Sequence, residues 1–166
     1  MAGLPRRAVR LPDGRIEMRL GSGEREVLGA LLEELGGLLA DGAPPDASLA
    51  RLHPPAVPGD ARASAEFDEL VRADLDDERQ ARLALVAATL EAPAIDEGQA
   101  SSWLGALNDL RLVAGTRLGV TEENEQEPID ESDPDAGRLV AFAWLGWLEE
   151  QLVDALAAGL PEVPAE

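Results

Sequence analysis

The sequence predicts a mainly α protein, a single-domain helical bundle of four to five helices with a small N-terminal β-hairpin. Three observations predict it. Apolar residues recur at three- and four-residue spacing through most of the chain. Prolines and glycines cut that pattern into segments of helix length. Strand-like alternation is confined to the first twenty residues, around Asp13-Gly14.

The elements follow in order. Val9 and Leu11, then Ile16, Met18 and Leu20, alternate with polar residues, and Asp-Gly between such runs signals a two-residue hairpin turn over residues 6–20. A helical bundle over 23–158 follows. Its first helix takes Ser22 as N-cap, with Arg25 where a capping-box acid would ideally sit, and buries Val27, Leu28, Leu31, Leu32, Leu35 and Leu38. It ends near Asp41-Gly42. Prolines break residues 42–60 into a loop, in which a short helical turn from Ser48 tucks in Leu49 and Leu52. Residues 64–91 read as one helix, or as two if Asp74 caps a fresh one, with Phe67, Leu70, Val71 and Leu75 on one face. Asp96 opens the next helix, which runs through Trp103, Leu107, Leu110 and Leu118 to Gly119. An acidic loop covers 121–135, and a last helix spans Asp135 to Ala158.

Composition narrows function. At 166 residues the chain buries enough surface to need no metal or disulfide staple. With no cysteine it has no thiolate nucleophile, and with every one of its 14 bases an arginine it has no lysine for Schiff-base chemistry. Its net charge of −19 repels phosphate backbones, which argues against nucleic acid and anionic membranes. With no leader-like or membrane-spanning apolar run, a cytoplasmic location is expected. Residues 1–23 run the other way. Arg6, Arg7, Arg10, Arg15 and Arg19 oppose Asp13 and Glu17, a local +3 that is expected to lie on an acidic surface of the same domain or to recruit an acidic partner.

The chemistry-bearing residues are few. Asn108 and Arg111 share a helix face one turn apart, beside apolar Leu104. They read either as a structural pair, with Arg111 meeting a carboxylate such as Glu66, Asp68 or Glu69, or as an amide and guanidinium gripping a ligand carboxylate or a peptide terminus. The last helix is apolar on more than one side, and Trp144 and Trp147, three apart on it, are candidates for core or for an interface, including a homodimer. The loop 121–135 holds eight acids and no base, without the ladder spacing of a calcium loop, so it reads as a solvated loop first and an electrostatic docking strip second. His53, the single histidine, has no neighbouring serine and no nucleophile elbow to serve. No catalytic residue, metal site or cofactor site is nominated.

Arg51-Leu52-His53-Pro54-Pro55-Ala56, Glu66-Phe67, the block Trp103 to Leu112, Gly119-Val120, and Trp144-Leu145-Gly146-Trp147-Leu148 with Leu152-Val153 resemble an actinobacterial family of uncharacterised proteins, over most of residues 1–158. Position 53 departs from the aromatic residue of that family. The resemblance implies no assigned activity. It implies genes set beside the adaptor of the Clp protease, and near a metalloprotease and a small sulfur carrier, hence a role around regulated proteolysis or cysteine supply. Two functions are therefore expected to compete. One is a non-enzymatic interaction or regulatory protein with a protein partner. The other is a small-ligand domain or enzyme built on the Asn108–Arg111 face.

Overall fold

Asp13-Gly14 does turn the chain, but through three residues rather than two. In the computed structural model, strand β1 (Ala8–Arg10) pairs antiparallel with β2 (Ile16–Met18), Arg10 opposite Ile16. The Leu11 amide donates to the Arg15 carbonyl at 2.8 Å and the Gly14 amide to the Leu11 carbonyl at 3.0 Å. Gly14 stands at φ 87°, the left-handed residue that a three-residue loop requires. The structure describes residues 5–40, 43–53, 59 and 61–160, without the side chains of residues 61, 64 and 67–70. Phe67 and Leu70, expected on one helix face, therefore lie outside the described residues, as do Pro54 and Pro55.

A third strand was not expected. Ala94–Ile95, β3, pairs antiparallel with β2 and places Ile95 opposite Ile16, giving the order β1-β2-β3. A two-stranded ribbon is marginal alone. The extra strand pairs the other edge of β2 where Ile16 and Ile95 are buried.

Helix α1 (Ser22–Leu38) is capped by Gly21 rather than Ser22, and the acid that completes the cap is Glu24, whose carboxylate accepts from the Gly21 amide at 2.7 Å. The turn expected at Ser48 is a 3-10 helix, Ala47–Leu52, opened by Asp46 accepting from the Ser48 amide at 2.8 Å. Ser48 and Leu52 are buried. Helix α2 (Ala61–Thr89) is continuous, so Asp74 caps nothing. Helix α3 (Glu97–Arg117) starts at the expected Asp96, which forms a reciprocal capping box with Gln99. Gly119, at φ 65°, follows its end. Helix α4 is Ala136–Ala157.

The central element is α3, which packs on α4, α2, α1 and the 3-10 helix. It contributes Trp103, Ala106, Leu107, Leu110 and Val113 to the core, against Leu28, Leu32 and Leu35 of α1 and Leu145, Leu148 and Leu152 of α4. Helix α4, expected to be apolar on more than one side, buries only part of that surface. It packs on α3 and β1 and leaves Val140 and Val153 exposed. The N-terminal arginines meet acids of their own domain: Arg7 with Glu24 at 2.9 Å, Arg10 with Glu97, Arg15 with Asp13 at 2.8 Å and Arg19 with Glu17 at 2.6 Å. Among the described residues no helix is long and apolar enough to cross a membrane.

Candidate functional site

The block from Trp103 to Leu112 is built mostly for packing. Trp103 is fully buried, and its indole Nε1 donates to the Thr89 hydroxyl at 2.8 Å, the partner a buried indole needs. Gly105 leaves a notch that Arg82 fills: a Cβ there would sit 2.7 Å from the Arg82 side chain. From that notch Arg82 donates to Asp109 at 2.8 Å. Asp109 is 5% exposed, and burial pushes its carboxyl up from the usual range while Arg82 and Arg79 pull it back in part. Arg79 lies 3.8 Å from Asp109, donates to the Leu52 carbonyl at 2.8 Å, and reaches Asp76, which also lies 3.2 Å from His53 Nε2. His53 thus joins a polar chain linking the 3-10 helix to α2 and α3.

Asn108 and Arg111 line one pocket, and of the two Arg111 is held by carboxylates of the same chain. Asn108 is exposed. Of the acids expected of α2, the side chains of Asp68 and Glu69 lie outside the described residues, and Glu66 pairs with Arg62. The Arg111 guanidinium donates to Glu149 at 2.9 Å and to Glu125 at 2.7 Å, and stands over the Phe142 ring at 5.3 Å. Gly146 makes room for it, since a Cβ there would be 3.2 Å from the Arg111 Nε. The pocket that Asn108 and Arg111 share, of about 290 Å³, is also lined by Arg51, Glu122 and Glu125. Sequence reasoning missed Asp109, the buried acid of the block. The signal was available, because Asp109 falls on the stripe of Ala106 and Val113, and an acid there needs cations opposite it.

Trp144 and Trp147 separate. Trp144 is half-buried, and its indole donates to Glu24 at 3.2 Å, tying α4 to the start of α1. Burial opposes the Glu24 charge, yet hydrogen bonds from the Gly21 amide, Arg7 and Trp144 outweigh it and hold the carboxyl below its usual range. Trp147 is also half-buried, but it lines a cleft of about 580 Å³ between α4 and the acidic loop. Leu139, Phe142, Ala143, Gly146, Trp147 and Glu150 give the helical wall; Pro128 and Ile129 stand on the loop side. The charged lining is Glu125, Glu127, Asp130, Asp133 and Glu150 against Arg111. Loop residues 121–134 are exposed throughout, and turns rather than strands hold them, with Thr121 and Asp130 accepting backbone hydrogen bonds. Hydroxyl and amide donors from Ser132 keep the Asp130 carboxyl low.

Among the described residues, no group of three His, Cys, Asp or Glu side chains is placed to hold a metal ion. A family model described as a domain of unknown function, DUF2017, matches residues 6–156. Neither curated proteins nor solved structures gave a match. The match runs from the first strand to the end of the last helix and takes in every element described above, so the chain belongs to the DUF2017 family.

Proposed function

We propose that this protein is a non-enzymatic interaction module that receives a protein partner in the cleft between α4 and the acidic loop. One observation carries the reading: Trp147, a side-chain type favoured at interfaces, stands half-buried in an open cleft of about 580 Å³. Trp144, by contrast, spends its indole donor on Glu24. The arginine that a ligand carboxylate would need is already engaged by Glu125 and Glu149. The partner acts in the cytoplasm on this reading, and the family resemblance makes the adaptor of the Clp protease the first candidate to try.

A second reading, a small ligand on the Asn108–Arg111 face, has the pocket of about 290 Å³ in its favour. Its lining sets Arg51 and Arg111 beside Glu122 and Glu125, so the charges balance and no net cation is left to hold an anion.

The test is capture from native-host lysate with the tagged full chain, Trp147→Ala and Asn108→Ala, each checked for folding by circular dichroism. Expected is a protein retained by the wild type and by Asn108→Ala but lost with Trp147→Ala, and rebinding once purified. Retention lost with Asn108→Ala instead moves the site to the other face. Capture that ignores both substitutions, or no capture, overturns the proposal.

A further inference from the structure

Resting on that reading of the cleft, we infer that its occupant is a basic amphipathic helix of the partner, apolar on the side that meets Trp147 and arginine- or lysine-bearing on the sides that meet the loop.

The shape of the wall selects a helix. Leu139, Phe142 and Ala143, Gly146 and Trp147, and Glu150 follow one another at three- and four-residue intervals along α4. Such a row is the ridge against which a second helix packs. From Leu139 to Glu150 the row is three turns long, about 16 Å, which matches three turns of a partner. At its middle Gly146 has no side chain, and Arg111 fills the space left there, its Nε 3.2 Å from where a Cβ would stand. With Arg111 occupying the space over Gly146, an apolar partner residue would pack on Ala143 and Trp147 and face Pro128 and Ile129 across the cleft.

The charge selects the sign. Among the described residues no base is bonded to Glu127, Asp130, Asp133 or Glu150 of the cleft lining, whereas Glu125 is paired with Arg111. The next hollow along α4 continues the same sign, with Glu150 and Asp154 beside the exposed Val153 and Glu149 paired to Arg111. An acidic or neutral helix would bring no countercharge to this rim, and like charges repel. Cations flanking an apolar stripe complement it.

The test uses the full-length protein and a synthetic helical peptide of about 14 residues, leucines on one face and arginines on the flanks. Its comparators are a scramble of the same composition and a version with glutamate for arginine. Binding is read by calorimetry at low and high salt, because the chain's overall negative charge attracts any cation. Expected is binding at least about tenfold tighter than the scramble, and about tenfold weaker to Trp147→Ala. The triple variant Glu127→Gln, Asp130→Asn and Asp133→Asn, whose amide oxygens can still accept from the Ser132 and Asp135 amides and whose loop turns are checked by hydrogen exchange, is expected to lose about as much. Raising salt from about 0.1 M to about 1 M, which cuts the screening length from about 10 Å to about 3 Å, weakens it further. Equal binding of the scramble, equal binding to the triple variant, or no binding overturns the helix. A doubling of mass in light scattering that Trp147→Ala abolishes also overturns it, by giving the cleft to a second copy. If lysate capture still depends on Trp147 while the peptide fails, the cleft reading stands and only its occupant changes.

Discussion

Arg82 reaches Asp109 across the notch left by Gly105, its Nη1 2.8 Å from the carboxylate, at a point where the acid is buried and the cation is not. Burial costs Asp109 more than its two arginines return, which is why its carboxyl is raised. Removing the nearer arginine is therefore worse than removing the pair. Arg82→Ala is expected to cost about 3 kcal/mol by leaving the buried charge only Arg79, 3.8 Å away, and Arg82→Ala with Asp109→Leu to recover part of that loss. Urea midpoints of the two variants decide it. A double variant no more stable than the single one would show that the charge is not the source of the cost.

Two glycines on neighbouring helices separate packing from propensity. Gly105→Ala forces a methyl to 2.7 Å from Arg82 and is expected to destabilise by about 1–3 kcal/mol. Gly137→Ala meets nothing within 4 Å near the start of α4 and is expected to gain up to about 1 kcal/mol from helix propensity. Thermal melts of both variants give the comparison, and equal effects of one sign would refute it.

The core was legible because its signal is local. Trp103, Leu107 and Leu110 repeat at helical period, and Asp96 with Gln99 forms the capping pattern that residue types announce. The third strand was not, since Ala94–Ile95 is too short to alternate and exists only because β2 offers an edge. The cap of α1 moved to Gly21 because Glu24 is three residues from it, a spacing that outweighs the hydroxyl of Ser22. The partners of Arg111 lie 14 and 38 residues away, a separation no periodicity encodes. Trp147 and Trp144 look alike in sequence and differ only in what the fold sets opposite them, Glu24 in one case and the acidic loop in the other.

Glu24 and Asp109 give opposite pH signatures. The Glu24 carboxyl is held below its usual 4.5, so its contribution is present above that pH and is lost as pH falls through the lower folded value. Glu24→Gln is expected to flatten the acid limb of the stability curve. Asp109 is raised above 3.8, so the native state takes up its proton first and gains relative stability as pH falls through that window. Asp109→Asn is expected to steepen the acid limb instead. Melting temperature against pH for the three proteins measures both, and two variants shifting the limb the same way would contradict the assignment.

Arg111 ties the acidic loop to the fold, and the tie depends on guanidinium shape. One plane serves Glu125 on the loop and Glu149 on α4 while lying over Phe142. A lysine keeps the charge but is a single point on a flexible stem, without the two-sided fork or the flat face that stacks on a ring. Arg111→Lys is therefore expected to hold Glu149 or Glu125 but not both, and the loop side loses first, because Glu125 is the more exposed partner, 43% against 22%. Global stability is expected to fall by only about 1 kcal/mol, since both pairs are partly solvated. Amide hydrogen exchange should nonetheless quicken over residues 121–127, where the turns from Thr121 to Glu127 have the Arg111–Glu125 contact to anchor them to α3. Exchange unchanged there, with the variant folded, would mean that the turns hold the loop without Arg111. The cleft wall opposite Trp147 would then be set by the loop's own hydrogen bonds.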